Sequence, residues 1–157
     1  MLQYCINGIT YGAIYALVAL GFTVIYRATE IINFAQGEFV MFGGMLMYTF
    51  TELCGLNIPI SLVLTTISVG LIGLTTERFF IRPALNFSLV SIIIITIGIS
   101  IFFQAVAMII WGKNSLIIKQ FSEMEILQIT DEIIISTQNI WILGITVFLM
   151  LIMRYFF

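Results

Sequence analysis

Long stretches without any charged side chain dominate this chain. The longest of them lie at residues 1–26, 53–76, 83–112 and 133–153. A helix rises about 1.5 Å per residue, so each stretch can cross a hydrocarbon core of roughly 30 Å. The stretches lack the strict alternation of a membrane β-barrel strand, and a helix satisfies its own backbone in lipid. The pattern predicts transmembrane helices at 6–26, 58–78, 87–111 and 139–156.

The segment 31–52 is less regular than the other four. It reaches spanning length only if Gln36 and Glu38 enter the membrane with it. A carboxylate at the centre of a bilayer costs about 3 kcal/mol or more, unless it faces protein or water. We therefore predict a fifth span at 33–52 with a polar N-terminal third, and we predict that Glu38 faces protein or water.

Composition supports a membrane protein and excludes several other classes. Hydrophobic residues make up 61% of the chain and charged residues 9%, and the mean hydropathy is +1.16. A soluble domain carries about a quarter charged residues. With six lysines and arginines and a net charge of −2, the chain has no basic patch for nucleic acid. The predicted fold of residues 1–157 is all-α, a polytopic integral membrane bundle of about five transmembrane helices.

The sequence also limits the chemistry. It contains no histidine, which excludes Ser-His-Asp triads and histidine-ligated metals. It contains no GxxxxGK[ST] phosphate-binding loop. We therefore expect no enzymatic activity, no cofactor and no metal. The two cysteines, Cys5 and Cys54, have apolar neighbours in sequence and are predicted to be small buried side chains.

The distribution of lysine and arginine predicts an orientation. Four arginines share one side of the membrane if the N-terminus lies outside: Arg27, Arg78, Arg82 and Arg154. Lys113 and Lys119 then lie on the other side. Because basic loops favour the cytoplasm, the pattern predicts an outer N-terminus, an inner C-terminus and an outer loop at 112–138.

Two connections have their own patterns. In the loop 112–138, the segments 125–130 and 132–137 are rich in isoleucine and threonine, which predicts a short β-hairpin. This hairpin could be a docking or lid element, or a spacer that covers helix ends. In the segment 77–83, ERFFIRP, Pro83 predicts that the helix stops in a short inner turn whose charges fix the topology.

Small residues recur at helical spacing in the first span. Gly8, Gly12 and Ala16 are four residues apart, and Gly44 follows Gly37 by seven in the second predicted span. Such rows let helices approach closely in lipid, where no hydrophobic driving force acts between helices. Close helix packing and the lining of a pore are both open interpretations of these residues.

Polar residues within the predicted spans form the candidate functional site. They are Asn33, Gln36, Gly37, Glu38 and Gln104. If 33–52 is helical, Asn33 and Gly37 share one face, with Glu30 close to it. One interpretation places these residues at the inner mouth of a translocation path. The other gives Glu38 a capping role or a salt bridge to Arg27 or Arg82, and gives Gln104 a hydrogen bond to another helix.

Three segments resemble one transporter family. They are NGITYGAIYALVALGFTVIYRATEIINFAQGEFVMFGG at 7–44, ERFFIRP at 77–83 and TIGISIFFQAVAMIIWG at 96–112. Together they resemble the permease subunit of branched-chain amino acid ABC importers, and the NFAQGE stretch is the most specific element. The resemblance covers nearly the whole chain. It implies an inner-membrane permease that works with a second permease, two ATP-binding subunits and an external binding protein.

The resemblance leaves two points open. Relatives move leucine, isoleucine and valine, or urea and short amides, so the substrate is not fixed. Family members are roughly twice as long, which leads us to expect the N-terminal half of a permease without its ATPase-coupling region. The leading hypothesis is thus a transport component. The alternatives are a stand-alone carrier or channel that binds a coupling ion at Glu38, and a membrane fragment that does not transport.

Overall fold

The chain is an α-helical protein with one small hairpin. The computed structural model describes residues 2–113, 116, 127–130, 133–135 and 137–156. Its helices are α1 Leu2–Thr29, α2 Gln36–Tyr48, α3 Ile58–Thr76, α4 Arg82–Ala84, α5 Leu89–Trp111 and α6 Thr137–Phe156. Its strands are β1 Leu127–Thr130 and β2 Ile133–Ile135. The predicted all-α membrane bundle is therefore confirmed.

Two helices continue in π-helical form. The π segment Thr49–Leu53 extends α2, and the π segment Glu77–Ile81 joins α3 to α4. Three helical stretches in the described residues are long and apolar enough to cross a membrane: Tyr4–Thr29, Ile58–Ala84 and Leu89–Trp111. A shorter apolar helix covers Asn139–Tyr155. The second predicted span, 33–52, is a shorter helical stretch of Gln36–Leu53.

The described residues form two compact units. One comprises Met1–Val24 with Gln120–Phe157, and the other comprises Ile25–Lys119. In the first unit, β1 and β2 pair antiparallel with a register shift between Gln128 and Thr130. This pairing is the predicted hairpin. Residues 117–126, with Lys119, and residues 131–132 lie outside the described part of the loop.

The second unit contains two clusters of buried apolar side chains. Within it α2 packs against both α3 and α5. One cluster of its buried apolar side chains comes from the residues before α2 and from the facing sides of α2 and α5: Ala35, Phe42, Ile99, Phe103 and Ala107. A second cluster consists of Ile31, Ala84 and Ile92. Phe42 contacts Phe103 edge to face, with ring centroids 5.3 Å apart and an interplanar angle of 89°. This aromatic packing fixes the face that α2 turns toward α5.

The start of α2 differs from the prediction. Residues 30–35 are not helical, and α2 begins only at Gln36. The Asn33 Oδ1 accepts a hydrogen bond of 3.0 Å from the backbone N–H of Ala35, a local turn that competes with helix formation. Glu30 adopts a positive φ of 56°. Asn33 and Gly37 therefore do not share a helix face as the pattern predicted.

The predicted turn at 77–83 is wrong. The helix that begins at Ile58 runs through Glu77 and Pro83 and ends at Ala84. In the π segment the backbone N–H of Arg82 bonds the Glu77 carbonyl, which resets the hydrogen-bond register just before the proline. Pro83 then lies in the first turn of α4, where a missing N–H costs little. The connection to α5 comes after Ala84 instead, and Ser88 caps α5.

The sequence made two predictions about small side chains: burial of the two cysteines and close helix packing at several glycines. Cys5 and Cys54 are both exposed, so their predicted burial is wrong. Outside their own helices, no described atom lies within 4 Å of a Cβ built on Gly8, Gly12 or Gly44. Close packing at these glycines, and at Ala16 in the same row, stays a prediction that would need a partner other than the described residues.

Candidate functional site

A carboxylate lies at the contact between α2 and α5. Glu38 is in the first turn of α2 and only 9% exposed. Its Oε1 accepts a hydrogen bond of 2.8 Å from the Ser100 hydroxyl and one of 2.8 Å from the Gln104 side-chain amide. Hydrogen bonds to a charged group contribute about 1.5–3 kcal/mol each. Glu38 therefore faces protein, as the sequence predicted.

The position of Glu38 follows from two local features. Its backbone N–H donates to the Ala35 carbonyl at 3.1 Å, so the turn that begins at Asn33 leads directly into α2. A negative side chain in the first turn of a helix also interacts favourably with the helix dipole. On α5, Ser100 and Gln104 are one helical turn apart and face the same direction. The two helices thus present an acceptor and two donors to each other.

The polar contact reaches the surface of its unit. Gln104 is exposed, and its Nε2 also lies 3.5 Å from the Ser100 Oγ. The exposed Gln104 and its neighbour Ser100 on α5 therefore both contact the buried carboxylate of Glu38. In a membrane-spanning helix, an exposed amide is costly unless it meets protein or water.

One of the open interpretations was a salt bridge from Glu38 to Arg27 or Arg82, and among the described residues the one to Arg82 is not formed. The Arg82 Nε lies 3.7 Å from Glu77 Oε1, within its own helical stretch. The contacts that the structure gives to the Glu38 side chain are those with Ser100 and Gln104. Gln104 does make the interhelical hydrogen bond that the sequence predicted for it.

Two other predicted site residues line a neighbouring cavity. Asn33 and Gln36 border a cavity of about 370 Å³ in the second unit, between the end of α1, the start of α2 and the later part of α3. The Gln36 Oε1 is buried and accepts no hydrogen bond in the described structure. Gly37 is exposed and does not border this cavity. The structure thus brings Glu38 and Gln104 together at the contact between α2 and α5, places Asn33 and Gln36 at the cavity, and places Gly37 at neither.

Sequence reasoning missed several residues of this region. Ser100 was unassigned, although its spacing of four from Gln104 on an apolar helix was a usable signal. The Trp111 indole N–H donates to the Thr49 hydroxyl at 2.8 Å, which is a second polar contact between the α2 and α5 stretches. Among the described residues, no group of three or more Cys, Asp or Glu side chains is placed to hold a metal ion.

Comparison with known proteins identifies the family to which this chain belongs. The model of the family described as branched-chain amino acid transport system / permease component matches residues 4–157. The chain belongs to this permease family. Together with the three helical stretches that are long and apolar enough to cross a membrane, the match indicates a multi-pass membrane protein of a transport-system permease family.

Curated relatives carry the same description. The high-affinity branched-chain amino acid transport system permease protein BraD of Pseudomonas aeruginosa is 34% identical over 116 residues, which is 69% of this chain and 38% of that protein. The permease protein LivH of Salmonella typhimurium is 35% identical over 113 residues, 66% of this chain and 36% of LivH. LivH of Escherichia coli K12 is 34% identical over 111 residues. The aligned part of the chain thus spans little more than a third of these relatives. No solved structure matches it.

Proposed function

We propose that this chain forms part of the membrane permease of an ABC importer for branched-chain or related amino acids. The observation that carries the proposal is the buried Glu38 carboxylate, held by Ser100 and Gln104 between two helices of a permease-family protein. A carboxylate in such a place is expensive and is typical of a transport path. The chain would do no covalent chemistry.

The proposed path uses the side chains that the sequence singled out. Glu38 and Gln104 form its polar contact between α2 and α5, and Asn33 and Gln36 border the adjacent cavity. In alternating access, helices move as rigid bodies while ATP binding at another subunit selects one state. Hydrogen bonds between α2 and α5 are contacts that such a movement can break and remake.

The proposal includes partners and a location. A second permease subunit, two ATP-binding subunits and an external binding protein would complete the importer, in the inner membrane. Branched-chain amino acids are named in the description of the family and in the names of BraD and LivH. The 157 residues would correspond to the N-terminal part of such a permease.

The proposed orientation gives a direct prediction. With an outer N-terminus and inner C-terminus, Arg27 and Arg154 end α1 and α6 on the cytoplasmic side. In a variant whose Cys5 and Cys54 are replaced, a cysteine introduced at position 122 should react with an impermeant maleimide added outside the cell. A cysteine introduced at Asn86, exposed in the connection between α4 and α5, serves as the inner control. Reaction at 122 from the cytoplasmic side only would reverse the orientation.

The experiment that tests the proposed function compares energy sources. Leucine uptake by the importer that contains this chain should stop when ATP is depleted and should persist when a protonophore removes the proton gradient. The second candidate, an ion-coupled carrier, is favoured by the same buried Glu38 and predicts the opposite dependence. Uptake that stops with the protonophore while ATP is present would therefore reject the ABC importer.

A further inference from the structure

Another cavity of the second unit lies where two long helices meet the membrane surface. Its volume is about 590 Å³, and its walls come from the end of α1, the residues after it, the connection between α4 and α5, and the first turn of α5. The helical stretches Tyr4–Thr29 and Leu89–Trp111 are each long and apolar enough to cross a membrane. The end of the first and the start of the second therefore mark a boundary between hydrocarbon and headgroups. The cavity lies at the depth of lipid headgroups.

Side chains of opposite charge border this cavity. Arg27 comes from the last turn of α1, and Glu30 follows the helix. Two exposed aromatic side chains, Tyr26 and Phe87, also line it. Basic and aromatic side chains at this depth are typical contacts of lipid headgroups. The carboxylate beside the arginine adds a site for a cation, so the cavity is complementary to a headgroup that carries both charges.

The backbone places the Glu30 carboxylate at this cavity. The Glu30 N–H donates to the Tyr26 carbonyl at 2.7 Å, and the residue has a positive φ of 56°. Glycine adopts this left-handed conformation without strain, whereas glutamate does not. The turn buries the next residue, Ile31, and leaves the Glu30 side chain exposed beside the cavity. Strained residues of this kind are concentrated where proteins contact ligands.

A smaller and more apolar cavity adjoins the first. Its volume is about 150 Å³. The two cavities share five lining residues: Tyr26, Glu30, Ile31, Leu89 and Ile92. The smaller cavity adds Ile32 and Ile93, so its walls are mainly isoleucine and leucine. Residues 89–93 begin the apolar helix α5, and the smaller cavity therefore leads from the charged site toward the hydrocarbon.

We propose that these two cavities bind one molecule of phosphatidylethanolamine, with its phosphate at Arg27, its ammonium group at Glu30 and the start of an acyl chain against Ile92 and Ile93. A primary ammonium group donates N–H bonds to a carboxylate, and such charge-assisted bonds are strong. The quaternary ammonium of phosphatidylcholine has no N–H to donate. Phosphatidylglycerol has no cation for Glu30. This lipid site goes beyond the proposed function, since it depends on neither the solute nor the energy source.

Native mass spectrometry of the purified chain in detergent micelles tests the site. Phosphatidylethanolamine, phosphatidylcholine and phosphatidylglycerol with identical acyl chains are titrated separately, and their dissociation constants are compared. Phosphatidylethanolamine should bind about fivefold more tightly than either of the others, or better. Equal binding of phosphatidylcholine, or tighter binding of phosphatidylglycerol, would overturn the inference. Displacement of the lipid by millimolar phosphoethanolamine or inorganic phosphate would also overturn it, because the ligand would then be a soluble phosphate compound.

Matched variants locate the ammonium contact. Glu30→Gln keeps the size of the side chain and removes its charge, so phosphatidylethanolamine and phosphatidylcholine should then bind within about twofold of each other. Glu52→Gln makes the same change in the π segment after α2, away from both cavities, and should keep the preference. A preference that is unchanged in Glu30→Gln, or lost equally in both variants, would reject the proposed location.

A glycine variant separates lipid binding from folding. Glu30→Gly removes the carboxylate and also relieves the left-handed strain, so its thermal unfolding midpoint should equal or exceed that of the original chain. Its preference for phosphatidylethanolamine should nevertheless be lost. Circular dichroism measures the helical content and the unfolding midpoint. A stable Glu30→Gly chain that still prefers phosphatidylethanolamine fivefold would show that Glu30 does not contact the headgroup.

Discussion

Replacing Glu38 by leucine is expected to reduce amino acid uptake by about tenfold or more while the amount of protein in the membrane changes far less. The variant removes an acceptor that binds both Ser100 and Gln104 at 2.8 Å. Leucine suits lipid and helix formation, so insertion should not suffer. The measurement is initial uptake of labelled leucine by cells that carry the complete importer, divided by the membrane level of this chain from immunoblots.

Three further variants separate a transport role from a packing role. Gln104→Leu leaves the Ser100 hydrogen bond and should have a smaller effect than Glu38→Leu. Glu38→Gln keeps an acceptor oxygen but loses the charge, and it should fall between them. Glu52→Gln makes the same change at the other end of the α2 stretch, in its π segment, and should retain uptake. Normal uptake by Glu38→Leu would mean that the polar contact only packs α2 against α5.

The second large effect is the absence of active uptake by the chain alone. The matched family is described as the permease component of a transport system. Accumulation against a gradient needs a source of free energy, and the 157-residue sequence has no phosphate-binding loop through which to use ATP. In vesicles that contain only this chain, we expect no leucine accumulation above the level in protein-free vesicles.

The sequence predicted where the long apolar helices lie because the cause is local. Charge-free length decides which segments enter lipid, and the helices that start at Ile58 and Leu89 lie close to their predicted positions. The prediction that Glu38 faces protein or water followed from the cost of a carboxylate in contact with lipid. The hydrogen bond from Ser100 to Glu38 could not be predicted, because a serine in an apolar helix can also donate its hydroxyl to the backbone of its own helix. The sequence alone does not distinguish that bond from a bond to another helix.

Helix ends were predicted less well. From the sequence, Asn33 was predicted to lie in a helix. Its side chain instead forms a local turn with Ala35, and α2 begins only at Gln36. From the sequence, Pro83 was predicted to end the helix. The π segment before it changes the hydrogen-bond register, and the helix continues through Pro83 to Ala84. The cavity beside Gln36 also could not be predicted, since its walls come from residues far apart in sequence. Each of these features depends on contacts that a linear pattern does not contain.

The central claim is that uptake through this chain depends on ATP and on the other subunits of an importer. The sharpest test is to reconstitute the purified chain into vesicles, with and without the companion permease, the ATP-binding subunits and the external binding protein. We expect labelled leucine to accumulate only when those subunits and ATP are present, and we expect a protonophore to leave this accumulation unchanged. Accumulation by this chain alone, abolished by the protonophore, would contradict it and identify an ion-coupled carrier.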